Sequence, residues 1–527
     1  MGLLTSLRHP VRALADVGDR TGASSELPRN VIFLLFDSLN RHMLGAYGGR
    51  EFATPNFDRF AARSVRFDKH YVGSLPCMPA RHDILCGAWD FLWKAWGSLE
   101  LWEDGIAGPL SREGVVSQLV TDHPHLFETG GENYHVDFSA WDYQRGHEGD
   151  PWKTAHDPSW TGAPLMGRRS MPYDRSRGWF RGEADFPGPR TMSSASKWID
   201  DNAGRHSRFF LFVDEFDPHE PFDTPDHYAR LYDPDWKGPP LIWPPYGRGC
   251  VRRGVITARE GQQIRARYGA KLTMIDHWFG KILDAIDRNG LWDDTIVIVT
   301  TDHGHYFGEK DIWGKPGVPL FQTIAHIPLM ISGAGLQRGV CDALTTSVDL
   351  FATVVDVFGA AQHVRQRTHG HSLLPLLTRS ATAIRDHVLA GVWGREVHFI
   401  DGFHKLVKAP AGDNAPLSML SNRWSTMPTH QLSREQELPL PDARARLSRM
   451  PGSSVPAIQQ TWERGDRVPY WAWTKFSGDH LYNLSDDPAE ENNLIDSPAA
   501  ADVNKRLKSA LSAIDAPIEQ FARLGYT

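Results

Sequence analysis

Cysteine is scarce. The 527 residues hold four, Cys77, Cys86, Cys250 and Cys341, a poor disulfide framework for a chain of this length. No apolar run approaches the roughly 18 residues of a membrane span. The first 28 residues carry Arg8, Arg12, Asp16 and Asp19 with no uninterrupted apolar stretch, which argues against a secretory signal. Basic blocks are missing too. Lys and Arg number 57 against 64 Asp and Glu, a formal net charge of −7, so nothing would neutralise a nucleic-acid backbone. These absences predict a cytoplasmic protein with neither a membrane nor a nucleic acid as partner.

What is present is globular. A hydrophobic fraction of 41% with 23% charged residues shows no disordered bias, and the length suits one large domain with a smaller one. The 19 Trp and 36 Pro concentrate in stretches such as Trp89 to Trp102 and Pro239 to Tyr246, which read as long loops over a domain face. Near-continuous apolar runs at Val31 to Phe36, Phe209 to Val213, Thr295 to Thr300 and Pro328 to Ile331 are the pattern of strands covered on both faces. Between two of them, Tyr268, Leu272, Ile275, Phe279, Ile282 and Ile286 fall on one helical face, with Asn289-Gly290 as the stop. The fold class predicted is α/β, a large and mostly parallel sheet sandwiched by helices. Residues of about 145 to 195 and 220 to 255 lack periodicity and read as surface or lid-like loops. Past residue 385 come short strands, a polar stretch near 410 to 465 and a final helix around Ala499 to Ile514. The division expected is an N-terminal arm (1–28), a catalytic domain (29–385) and a smaller α+β domain (386–527), with no internal repeat.

Three of the predicted strands end in polar residues: Asp37-Ser38, Asp214 to His219, and Asp302-His303-Gly304-His305. Ligands of open α/β sheets bind at the carboxyl ends of strands, so these groups can share one crevice. Next to them in the reading stands Cys77-Met78-Pro79-Ala80-Arg81, a Cys-x-Pro-x-Arg pentapeptide.

That pentapeptide resembles the sulfatase signature, in which the cysteine is oxidised to formylglycine, an aldehyde whose hydrate is the nucleophile. The rest of the chain follows in order. Asp37 with Thr54-Pro55-Asn56-Phe57-Asp58 is similar to the opening of a sulfatase of the alkaline-phosphatase-like superfamily. Pro218-His219-Glu220-Pro221 resembles its Pro-His-x-Pro segment. Asp302-His303-Gly304 with Gly308-Glu309 and Trp313-Gly314-Lys315 resembles its metal-and-lysine segment, and Leu481-Tyr482-Asn483-Leu484 with Asp487-Pro488 its closing motif. The resemblance covers about residues 29 to 500. It implies a sulfuric ester hydrolase of arylsulfatase type, close to the branch of phosphonate monoester hydrolases. A divalent metal would be held by Asp37, Asp302, His303 and the modified Cys77, with calcium the first choice and manganese or another transition metal the alternative. Arg81 would keep the nucleophile's surroundings positive. Lys315 and His219 would stabilise the transferring sulfuryl group, and one of them would protonate the leaving oxygen. The partners implied are a small-molecule ester and a formylglycine-generating maturation enzyme; self-association through the termini stays open.

Three departures matter. Ser38 stands where the family commonly has a second Asp. The family's Gly-Lys-x-His segment is absent, and Thr121-Asp122-His123-Pro124-His125 occupies its place, so His125 or His123 would take the base role. Leu85-Cys86-Gly87 replaces the usual Leu-Thr-Gly after the pentapeptide. Cys86, Cys250 and Cys341 read as small buried side chains without chemistry. The rival functions are a phosphonate monoester or phosphodiester hydrolase with the same nucleophile, and a catalytically idle binding protein that keeps the fold. The idle protein is expected to lack at least one of Asp37, Cys77, Arg81, His219, Asp302 and Lys315; all six are present.

Overall fold

The computed structural model describes residues 28–158, 160, 171–315, 320–425, 438–469 and 472–526. The arm expected over residues 1–28 therefore lies, but for its last residue, outside the described residues. At the centre is an eight-stranded sheet. Its strands run, from one edge to the other, Gly339–Thr346, Val65–Tyr71, Leu329–Ser332, Thr295–Thr301, Asn30–Phe36, Phe209–Glu215, Val116–Thr121 and Ala140–Tyr143. All neighbours pair in parallel except Leu329–Ser332, which is antiparallel to the strands on both its sides.

The apolar run of the central strand explains its place. Val31, Phe33 and Leu35 enter one core cluster while Ile32, Leu34 and Phe36 enter the other, because successive side chains of a strand point to opposite faces. On the first face lie the helices Cys77–Cys86, Ala107–Arg112 and Val348–Val357. On the second lie Pro55–Ala61, Pro187–Asn202 and the long helix Ala258–Arg288. The long helix starts ten residues before the periodicity from Tyr268 shows it, since Thr257 and Glu260 form a capping box: Glu260 N donates to Thr257 Oγ1 at 3.1 Å and Thr257 N to Glu260 Oε2 at 2.7 Å. It stops at Asn289, and Gly290 follows in the left-handed region, φ 61°.

Two loop expectations need correction. The stretch 145–195 holds the helix Met171–Arg177 and the start of Pro187–Asn202, whose Pro187 and Pro189 sit in a first turn where no backbone donor is needed. The stretch 220–255 holds the short helix Asp226–Ala229 and the strand Gly247–Arg248. The segment 88–106, by contrast, has neither helix nor strand, yet Trp89, Trp93, Trp96 and Trp102 are all buried in it. Cys341, expected buried, is only partly so.

Beyond residue 385 a second sheet takes the order His480–Asn483, His404–Lys408, Val397–Ile400, Val388–Val392 and, last, Ser74–Leu75. That last strand comes from the N-terminal half, where it pairs in parallel with Gly391 and Val392 just before Cys77. The helix Ala499–Ala513 packs on this sheet. The polar stretch near 410 to 465 holds a third sheet, Leu417–Ser421, Pro456–Trp462 and Arg446–Arg449. Among the described residues no helix is long and apolar enough to cross a membrane.

Candidate active site

The carboxyl ends of four adjacent parallel strands carry the polar residues of one crevice. Phe36 pairs with Thr301 on one side and Glu215 on the other, and Asp214 pairs with Thr121. Asp37, Asp302-His303, Asp214 and Asp122-His123 thus follow or end neighbouring strands. The helix Cys77–Cys86 points its first turn at them. Cys77 and Arg81, four residues apart, share a face, and Arg81 Nη1 donates back to the Cys77 carbonyl at 3.3 Å. Gly87 closes this helix in the left-handed conformation, φ 74°.

Arg81 is completely buried and its donors are engaged by carboxylates. Nε and Nη2 reach Asp214, Nη1 reaches Asp37 Oδ2 at 3.1 Å and Asp302 Oδ2 at 2.8 Å. The guanidinium therefore neutralises the acids around residue 77 and does not contact Sγ. The sulfur donates instead to His303 Nε2 at 3.4 Å. His303 Nδ1 donates to the Gly304 carbonyl at 2.9 Å, which leaves Nε2 with its lone pair. Asp37, Cys77, Asp302 and His303 each offer a ligand atom, all within 4.8 Å of one another and all buried. The donor set fits a divalent cation, because an aimed imidazole lone pair and clustered carboxylates call for more positive charge than Arg81 supplies.

Electrostatics divide the two central acids. Burial raises the carboxyl of Asp37, but His219, Lys315 and Arg81 outweigh it and hold the group well below the usual range. Burial and the charge on Asp37 push Asp302 well up. Burial, with Asp37 beside it, pushes the Cys77 thiol well above its ordinary value. Lys315 Nζ lies 3.7 Å from Cys77 Sγ and 3.4 Å from Ser38 Oγ. Burial opposes its charge, but Cys77, Glu220 and Asp37 keep the ammonium protonated. Ser38 takes the left-handed region, φ 62°, and donates to Asp37 Oδ1 at 2.8 Å.

The four histidines of interest have different fates. His219 donates from Nδ1 to the Glu220 carbonyl at 2.6 Å and stacks on Phe216, so Nε2 is its free nitrogen. Burial pushes its pKa to about 4. His125 is bound on both sides: Nδ1 contacts Glu128 and Nε2 lies 3.3 Å from Glu148 Oε2. Burial opposes its charge, but the two carboxylates lift it to about 10. His123 is the converse. Fully buried, with neither ring nitrogen hydrogen-bonded, it lies 3.9 Å from Asp214 Oδ2, and burial with Arg81 nearby pushes it well down. His305, which has no acidic neighbour in sequence, finds one in space: Nε2 is 3.4 Å from Glu220 Oε2.

Several supporting residues escaped the sequence reading. Lys271 bridges Asp217 Oδ1 at 2.5 Å and the carbonyls of His219 and Pro221 at 2.9 and 2.7 Å. His147 meets the same Asp217 oxygen at 2.7 Å. They hold the His219 loop in place. The signal was a lysine beside the apolar face of the long helix, between Ala270 and Leu272; His147 gave none.

The model of the Sulfatase family matches residues 29–360, and the chain belongs to that family. It is 27% identical over 376 residues to a choline-sulfatase of Rhizobium meliloti (strain 1021), covering 66% of this chain and 71% of that one. It is 25% identical over 411 residues to an arylsulfatase of Clostridium perfringens (strain 13 / Type A), covering 68% and 80%. The fold is similar to that of the phosphonate monoester hydrolase of Agrobacterium radiobacter, with TM-score 0.62, 17% identity, and coverage of 93% and 95%.

Proposed function

We propose that this chain hydrolyses organic sulfate esters with a formylglycine made from Cys77 as nucleophile. The observation that supports this most is the position of Cys77 Sγ, which joins the cluster of Asp37, Asp302 and His303 and faces Lys315 at 3.7 Å. Asp37, Asp302, His303 and residue 77 would hold a divalent cation, which when bound would polarise ester oxygens and favour a deprotonated hydroxyl at position 77. Calcium is the first choice; the imidazole donor of His303 leaves manganese or another transition metal as the alternative. Lys315 binds the free oxygens of the transferring group, where charge is concentrated. His219 commits Nδ1 to the Glu220 carbonyl and keeps Nε2 for the substrate, and either it or Lys315 protonates the leaving oxygen. Of the two histidines in the variant Thr121 to His125 segment, His123 is the free imidazole and takes the base role. The four free thiols accord with a reducing, cytoplasmic setting.

Mass spectrometry of the tryptic peptide His70–Arg81, from protein made beside a maturation enzyme, tests the nucleophile. A mass for aldehyde in place of thiol is the expected result. An intact thiol in fully active protein overturns it. Ser38 favours a second reading, a phosphonate monoester hydrolase, because one carboxylate fewer at the centre suits a different substrate charge. Comparing kcat/KM for a sulfate and a phosphonate monoester with the same leaving group decides between them.

A further inference from the structure

The helix that carries Cys77 and Arg81 has a second functional-looking face at its other end. His82 and Cys86 lie four residues apart and so project side by side. The Trp-rich segment brings Asp90 and Glu103 to them. Ligand atoms of His82, Cys86 and Glu103 all lie within 4.8 Å of one another, and all three residues are buried. His82 Nε2 is 3.0 Å from Glu103 Oε2, and Nδ1 is 3.8 Å from Asp90 Oδ1. Yet neither ring nitrogen makes a hydrogen bond of proper geometry, and Asp90 Oδ2 has no partner. Their exposures, 3% for His82 and for Asp90, leave no bulk water to satisfy them, a costly arrangement for polar atoms.

The neighbouring groups are already committed. Glu103 Oε1 accepts from the Glu100 amide at 2.9 Å, so Oε2 is the free oxygen. Lys94 donates to the Ser98 carbonyl at 2.6 Å and to Glu100 Oε1 at 3.1 Å. Glu100 is further engaged by Ser421 and by the amides of Asn422 and Arg423. A cavity of about 20 Å³, lined by His82, Asp90 and Glu103 among others but not by Cys86, lies beside the cluster, room for about one water molecule.

We propose that His82, Cys86 and Glu103 form a zinc site separate from the centre at Asp37, Asp302 and His303, with Asp90 at the other ring nitrogen of His82 and outside the ligand set. One nitrogen, one sulfur and one carboxylate oxygen, with a water as fourth ligand, make a borderline-soft set that suits zinc over calcium or magnesium. Tetrahedral zinc needs ligand atoms about 3.3 to 3.8 Å apart, closer than the 4.8 Å within which these atoms lie, so binding would draw them together. Binding releases the proton of the Cys86 thiol and puts the thiolate on the metal. The ion would fasten the end of the catalytic helix to the segment 89–103, which itself reaches the sheet at Ser421 through Glu100. This gives Cys86, which replaces the family's threonine, a chemical role.

The test uses the full chain as the Cys77→Ala variant, so that the catalytic thiol cannot contribute, expressed in medium with cobalt replacing zinc. The expected result is a near-ultraviolet thiolate-to-cobalt charge-transfer band that disappears in Cys77→Ala/Cys86→Ser protein of unchanged circular dichroism. Zinc-grown Cys77→Ala protein should show one sulfur among its zinc ligands by X-ray absorption, at about 2.3 Å, a readout that needs no second variant. Folded Cys77→Ala protein without the cobalt band, zinc bound only by nitrogen and oxygen, or a band that survives Cys86→Ser would each overturn the proposal.

Discussion

Arg81 and Asp214 meet through three hydrogen bonds, from Nε to both carboxylate oxygens at 3.2 and 3.0 Å and from Nη2 to Oδ1 at 2.7 Å, with neither side chain exposed. The pair lies under the residues that approach the substrate, and it fixes the face of the guanidinium that Asp37 and Asp302 share.

Removing Asp214 leaves Nε and Nη2 of the buried Arg81 without acceptors, with only Nη1 still paired to Asp37 and Asp302. Asp214→Ala should therefore destabilise the fold by about 3–5 kcal/mol, seen as a lower urea midpoint. A midpoint within error of the parent would show that Arg81 finds a replacement partner.

Lys315 makes its closest approaches to Ser38 and Cys77, so its loss should be felt most in the transition state. Lys315→Ala is expected to lower kcat on an aryl sulfate by about 10²–10³-fold with a far smaller change in KM. An unchanged kcat would remove Lys315 from the sulfuryl contact.

His123 and His125 should separate cleanly. His123→Gln is expected to lower kcat by at least about 10²-fold, whereas His125→Gln should act mainly on stability. Equal losses of activity in the two variants would contradict this division of roles.

The His125 pKa of about 10, raised by Glu128 and Glu148, makes that stability pH-dependent. The bound proton is retained more tightly in the fold than in the unfolded chain, whose value is 6.5. Its contribution is complete below 6.5 and disappears as pH rises toward 10. Urea midpoints measured across this window should fall less steeply for His125→Gln than for the parent.

A strong chelator should abolish activity and an added divalent cation restore it. Full activity in protein shown by elemental analysis to be metal-free would falsify the cation site at Asp37, Asp302 and His303.

Much of the frame was legible because its signals are local. The runs at Val31, Phe209 and Thr295 became three adjacent central strands, and the polar residues at their ends converge as strand-end chemistry requires. Direction was not legible: the run at Pro328 became the one reversed strand, and an apolar run reads alike both ways. The helix Pro187–Asn202 was hidden because its prolines signal a loop unless the turn that tolerates them is known. For the site, Asp37, Cys77, Asp302 and His303 could be named from sequence motifs. The choice between His123 and His125 could not, since it depends on Glu148, a residue brought there only by folding.

The pairing of Ser74–Leu75 with Val392 has a consequence for timing. The stretch leading into Cys77 gains its strand partner only after the ribosome has passed residue 392, far along the message. Until then the strand that leads into the pentapeptide lacks its partner. Afterwards the thiol is only 4% exposed. The C-terminal sheet thus helps to close the fold around the residue that the proposed maturation would have to reach.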